Sequence, residues 1–167
     1  SRDQADLGRL MAEAMERMSA LSIAAIKGPC VGGGVVLAGV CDLRVAADDT
    51  VFSIPEVDLG IPLAWGGIPR LVREIGPAFT RELVLTCRPF DADEARALGF
   101  VNRVVPRADL ESAVDELAGD VGQDRCEGGE REVVSADVEH LVGHRSGVAE
   151  RGLELAPGIT LSGKIDR

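Results

Sequence analysis

Few residues in this chain have the type and spacing to do chemistry. Three consecutive glycines, Gly32, Gly33 and Gly34 in "GPCVGGGVV", stand at the entrance of an apolar run that reads as a buried helix. Glycines in that place serve one of two ends. They let the backbone turn a tight corner, or they leave N–H groups uncovered where negative charge develops on a ligand. The run lacks the GK[ST] ending of a P-loop and the spacing of GxGxxG, so it fits neither nucleotide fingerprint. Glu56, in "IPEVD", is a carboxylate suited to acid–base work and, on its own, equally a solvated loop charge. Trp65, the single tryptophan, falls in "LAWGG" and suits a ligand-pocket wall, a core position or a lid. His140 and His144 have the i, i+4 spacing of two metal ligands on a helix, but no HExxH glutamate accompanies them and no metal site is expected. Cys30, Cys41, Cys87 and Cys126 form no CxxC pair, and buried or incidental thiols are expected.

These residues need elements to position them. Leu7, Leu10, Met11, Ala14, Met15, Met18 and Leu21 recur at helical spacing, which predicts an amphipathic helix over 4–20 with a methionine stripe in the core. "SIAAIK" reads as a short buried strand ended by Gly28–Pro29. The run from Gly33 to Cys41 has no polar face, as in a helix buried on all sides. "DLRVAA" and "VFSIP" are further strands. "GGIPRLVREIG" and "PAFTRELVLTC" are helices, the second opening on Pro77. "FDADEARALGF" pairs Asp91 with Glu94 at a capping-box start and stops at Gly99. "FVNRVVP" is a strand and "ADLESAVDELAGDVG" an amphipathic helix. Strand–helix alternation of this kind argues for an α/β chain. After Gly122 the pattern fades into a polar, glycine-containing stretch, and no element is assigned past Ala136.

With 167 residues the chain is long enough for one domain with a real core. Apolar residues make up 46 % of it, aromatics only 3 %, and tyrosine is absent, which argues for an aliphatic interior rather than a base-stacking surface. The formal net charge of −10 disfavours nucleic acid and anionic membranes as partners. Charges interrupt every candidate membrane span, and "SRDQADLGRL" does not read as a secretory signal. A cytoplasmic protein is expected.

The segment from Ile23 to Gly76 resembles the enoyl-CoA hydratase/isomerase (crotonase) superfamily. The resemblance rests on "IAAIKGPCVGGG", then the Cys41–Asp42 pair, then "FSIPEVDLG", then "GGIPRL". The later "FDADEARALGFVNRVVP" is similar to the family's A-x-E-A-x-x-x-G-x-V-x-x-V-x-P segment. Order and spacing agree across residues 22–106. The resemblance implies a partial ββα spiral over 1–106, a helix over 107–121, and an atypical tail over 122–167 that is helical or poorly ordered. It also implies a chain truncated at its N-terminal side, because the family's upstream A-x-G-x-D-L loop has no counterpart here.

What the resemblance implies for function is specific. Gly33 would give one of two backbone N–H groups that hold the thioester oxygen of an acyl-CoA, with Gly32, Gly34 and Trp65 around the substrate. Coenzyme A is then part of the substrate, and no separate cofactor is expected. Family hydratases carry a glutamate three residues after the middle glycine; here that residue is Val36. Glu56 stands alone at the P-E position, as in the family's Δ3-Δ2 enoyl-CoA isomerases, where one carboxylate shuttles a proton along an enolate. Dienoyl-CoA isomerases use a further aspartate where this chain has Ala64. Asp58 matches no family acid and reads as a solvated charge. The family's assemblies imply a homo-oligomer, a trimer or hexamer. Two other readings stand beside the enzyme: a non-catalytic acyl-CoA-binding protein, and a vestigial fragment.

Overall fold

Alternation along the first strand decides which way the main sheet faces. In β1 (Leu21–Ile26), Ile23 and Ala25 point to one side, and Ala24 and Ile26 to the other. Both sides are covered, as in a parallel sheet with helices on its faces. The computed structural model describes residues 2–123, 133–138, 153–156 and 159–163, with side chains from Gly8 to Val121.

The chain climbs in repeated strand–strand–helix units. The helix α1 (Arg2–Glu16) leads into β1, a turn at Gly28 with φ of 63° follows, and β2 (Pro29–Val31) crosses into a second sheet before α2 (Gly33–Ala38). The next unit is β3 (Leu43–Ala47), β4 (Val51–Ser53) and α3 (Gly67–Thr86). Then come β5 (Phe90–Asp91), α4 (Ala92–Ala97) and β6 (Arg103–Val105), and a 3-10 turn leads into α5 (Leu110–Gln123). β1, β3 and β6 run parallel in the main sheet, while β2, β4 and β5 form a smaller sheet of three strands. Among the described residues, no helix is long and apolar enough to cross a membrane.

Two cores result. Ala24 and Ile26 join Phe52, Phe90, Phe100, Leu71 and Leu83 between the sheets and helices α2, α3 and α4. Ile23, Ala25, Val45 and Ala47 pack under Leu110, Ala113, Val114 and Leu117 of α5. The expected helix ends are local chemistry. Asp91 caps α4 by accepting from the Glu94 N–H at 2.8 Å, and Gly99 takes φ of 84° after it. The two helices expected around Pro77 form one element with a break at Gly76, whose φ is 77° and ψ 166°.

Two expectations meet a different outcome. On α1 the buried face is Gly8, Ala12 and Met15, with Met11 and Met18 packed partly against the core. Leu10 and Ala14, expected inside, are exposed. The helix is rotated so that Gly8 faces a large side chain, described below. The apolar run from Gly33 is helical for only six residues, because Gly39 and the turn to Asp42 end it. In the tail, α5 runs on to Gln123 and the other described residues are strands. β7 (Val133–Val138) lies parallel to β1, and β8 (Leu153–Ala156) and β9 (Ile159–Gly163) extend the sheet antiparallel beyond it. Cys126, His140 and His144 lie outside the described residues.

Candidate active site

The turn after β2 and the turn after β4 come together because those strands are neighbours in the small sheet. Val31 pairs with Ser53, so the chain emerges at Gly32 on one side and at Ile54 on the other. The Gly32 N–H donates to the Ser53 carbonyl at 2.8 Å, which ties the glycine triplet to the end of β4. Gly32 has φ of 53° and ψ of −110°, a conformation that suits glycine. The corner reading of the triplet is therefore correct for Gly32, and it is compatible with the other one. As the first helical residue, Gly33 has no intrahelical acceptor for its own N–H, and it is part-exposed while Gly32 and Gly34 are buried.

Glu56 sits three residues past β4, in a turn wound on its own carbonyl. The N–H groups of Leu59 and Ile61 both donate to the Glu56 carbonyl oxygen, at 3.1 and 3.0 Å. That winding turns the carboxyl inward over the triplet. A β-carbon on Gly32 would stand 3.2 Å from the Glu56 Cδ and closer still to Oε1, so the carboxyl occupies the space that the missing side chain leaves. Glu56 is only 8 % exposed, and its Oε2 is buried with no hydrogen-bond partner. Burial pushes its pKa above the ordinary glutamate value of 4.5, opposed by a backbone N–H of its own residue. A buried carboxyl left unpaired is costly for stability, and a raised pKa makes the group a better proton acceptor than an ordinary glutamate.

Trp65 completes the group. One edge of its indole abuts Gly33: a β-carbon there would stand 2.6 Å from Cζ3 and 2.9 Å from Cη2. The opposite edge of the ring abuts Gly8 of α1, where a β-carbon would overlap Cε2. Trp65 is half-buried and adopts φ of 55°, rare for a residue other than glycine. Its carbonyl accepts from Arg70 Nη1, and Arg70 in turn donates from Nε to Glu16 Oε1 at 3.0 Å and pairs through Nη2 with Oε2 at 2.8 Å. Hydrogen bonding from Arg70 holds the Glu16 carboxyl below its usual range, against a smaller opposing effect of burial. Gly8, Glu16 and Arg70 are missed by a reading of motifs. The sole hint is the arginine of "GGIPRL", and its partner lies 54 residues earlier in the chain.

Other candidate residues stand apart. Val36 is buried in the core, where a β-carbon on Gly67 would stand 2.6 Å from its Cγ2, and its surroundings are apolar. Asp58 and Ala64 are exposed on the connection to α3. Cys30 and Cys41 are buried, and desolvation raises their thiols to about 12 and about 11, so neither is a thiolate nucleophile. Among the described residues, no cluster of three or more His, Cys, Asp or Glu could hold a metal ion. A cavity of about 280 Å³ opens near Met15, Cys41, Arg73 and Glu74, and its lining includes none of Gly33, Glu56 or Trp65.

The two turns thus carry a helix-entry N–H without an intrahelical acceptor and a buried, unpaired carboxyl, group types suited to steadying an oxyanion and moving a proton. Comparison with known proteins bears on that chemistry. Residues 7–124 match the model of the enoyl-CoA hydratase/isomerase family. A crotonyl-CoA hydratase of Syntrophomonas wolfei is 40 % identical over 119 residues, which cover 71 % of this chain and 46 % of that protein. A peroxisomal Delta(3,5)-Delta(2,4)-dienoyl-CoA isomerase of Arabidopsis thaliana is 42 % identical over 110 residues, 65 % of this chain and 40 % of that one. The crystal structure of an enoyl-CoA hydratase from Bacillus anthracis superimposes with a TM-score of 0.72 at 36 % identity, covering 74 % of this chain and 48 % of that one. The chain thus spans less than half the length of these relatives.

Proposed function

The chain belongs to the enoyl-CoA hydratase/isomerase family, and on that footing we propose that it acts on an enoyl-CoA thioester as a proton-shuttling isomerase. The observation that carries this reading is the Glu56 carboxyl, buried and unpartnered at Oε2 while packed over the triplet that contains Gly33. In a 3-enoyl-CoA, the ionised Glu56 takes a proton from the carbon next to the thioester. The electron pair released moves onto the thioester oxygen, which the Gly33 N–H stabilises. The same carboxyl, now protonated, returns the proton two carbons further along as the double bond shifts, and ends as it began. A preorganised donor at the oxyanion contributes roughly 10²–10³ in rate, and a placed acid–base group roughly 10²–10⁴. Because α2 has only six residues, the N–H itself matters more here than a helix dipole. Coenzyme A enters as part of the substrate.

Hydration asks for more. It needs one group to activate water and another to protonate the adjacent carbon, and the position three residues past Gly33 is the apolar, core-packed Val36. Purified protein is therefore expected to convert a 3-enoyl-CoA to the 2-enoyl isomer while hydrating a 2-enoyl-CoA at least 100-fold more slowly. Equal rates for the two, or isomerisation that survives Glu56→Gln, would overturn the assignment.

Val36 also favours a second reading, a protein that binds acyl-CoA without turning it over. Calorimetric titration with acyl-CoA that gives binding, alongside no turnover of either isomer, would select it.

A further inference from the structure

The indole of Trp65 fills the side of Gly33 where a β-carbon would stand. A thioester whose oxygen meets the Gly33 N–H packs against that same residue, so the proposal that follows rests on the functional reading above. We propose that Trp65 is a plug rather than a pocket wall: its ring closes the site in the empty protein, and the acyl thioester binds by displacing it.

Four observations support this. The slot is matched to the ring by two absent side chains, at Gly8 on one edge and Gly33 on the other, and both contacts are too close to admit a β-carbon. The two glycines come from different helices, so the fit is a property of the fold and not of one local turn. Trp65 is half-buried rather than enclosed, so the residue is in part open to solvent. The backbone of Trp65, by contrast, is clamped: Arg70 holds its carbonyl, and Glu16 holds Arg70 through two contacts. Motion therefore falls on the side-chain torsions of Trp65.

A site whose open form is a minor population binds its ligand more weakly by the fraction that is open. Removing the plug removes that factor. With the closed form at about nine-tenths or more, Trp65→Ala is expected to tighten binding about tenfold or more. Gly8→Ala tests the same point without touching Trp65, Gly33 or Glu56. Its methyl group would overlap the ring edge and push the indole out from the α1 side.

Trp65 is the only tryptophan in the chain, so intrinsic fluorescence reports on it alone. The experiment titrates the full chain, Gly8→Ala and Trp65→Ala with butyryl-CoA, a saturated ligand that is not turned over, and uses free coenzyme A as the control. Binding is read by calorimetry, and emission is followed in the two proteins that keep the ring. The expected result is a red shift of Trp65 emission as butyryl-CoA binds, a red-shifted Gly8→Ala before any ligand is added, and tighter binding by both variants. Binding to the full chain with unchanged emission overturns the plug and leaves the active-site reading standing. Binding by Trp65→Ala that is no tighter than by the full chain does the same. If none of the three proteins binds butyryl-CoA, the active-site reading fails and takes the plug with it.

Discussion

Arg44 and Glu56 are both charged residues placed inside this protein, 4 % and 8 % exposed, and the fold treats them in opposite ways. Arg44 is surrounded by acceptors. Its guanidinium donates to the carbonyls of Phe100, Ala38 and Cys41 and pairs with Glu74 at 2.5 Å, while its plane lies 5.3 Å from the Phe100 ring centroid. That network ties the end of α2 to α3 and to the segment before β6. Glu56 has an oxygen with no partner at all and a glycine where a neighbour would otherwise press on it. A buried charge that is fully paired serves the structure. One left unpaired costs stability, a cost that the proposed acid–base role of Glu56 would explain.

Breaking the paired charge should have the largest effect on the fold. Arg44→Met strands three carbonyls and Glu74, and is expected to cost about 3–5 kcal/mol. In a chain of this size that lowers the thermal midpoint by about 10 °C or more, and a melt that moves less would show the network to be ornamental. Gly32→Ala comes next and strikes the other region. Its methyl group collides with the Glu56 carboxyl, and its backbone is held at a φ that L residues rarely adopt. We expect a stability loss of about 1–3 kcal/mol and, because the carboxyl is displaced, a fall of roughly 100-fold in turnover. Turnover that fell only in proportion to the folded fraction would separate the glycine from the carboxyl.

Glu56→Gln gives the smallest change in stability, and its sign is the informative part. Burial raises the folded pKa of Glu56 above 4.5. In more acid solution the group is neutral in both folded and unfolded chains, and the substitution changes little. As the pH climbs, the unfolded chain ionises first and the folded chain resists, so the native protein loses stability until its own pKa is passed. The variant has no such loss. Its melting temperature relative to the native chain should therefore start near zero in acid and rise to a positive plateau once the folded pKa of Glu56 is passed. A difference that shrinks as pH rises would mean that Glu56 is stabilised as the anion.

The two regions also differ in how much of them a sequence reveals. The glycine triplet, Glu56 and Trp65 stand out because short-range pattern carries them, and the strand register of β2 on β4 then does the assembling. The buried strand β1 and the Asp91 cap are legible for the same reason. The helix α1 is a different case. Its aliphatic stripe points to Leu10 and Ala14, yet Gly8 lies inside, because the partner that fixes the rotation is Trp65, more than fifty residues away. The pairings of Arg44 with Glu74 and of Arg70 with Glu16 are likewise long-range. In a chain with 18 basic and 28 acidic residues, charge alone does not select a partner. Past Gly122 the side-chain period fades, while β7 still finds the edge of β1 through backbone hydrogen bonds, which leave little trace in residue type.

The claim on which the account turns is that Glu56 removes a proton from the carbon beside a thioester. Nuclear magnetic resonance of butyryl-CoA incubated with the protein in deuterium oxide tests it without requiring a complete reaction. Loss of the signal from that carbon's hydrogens is expected with the native chain and with Asp58→Asn, and is expected to be absent with Glu56→Gln. Exchange that continues unchanged in Glu56→Gln would contradict the account.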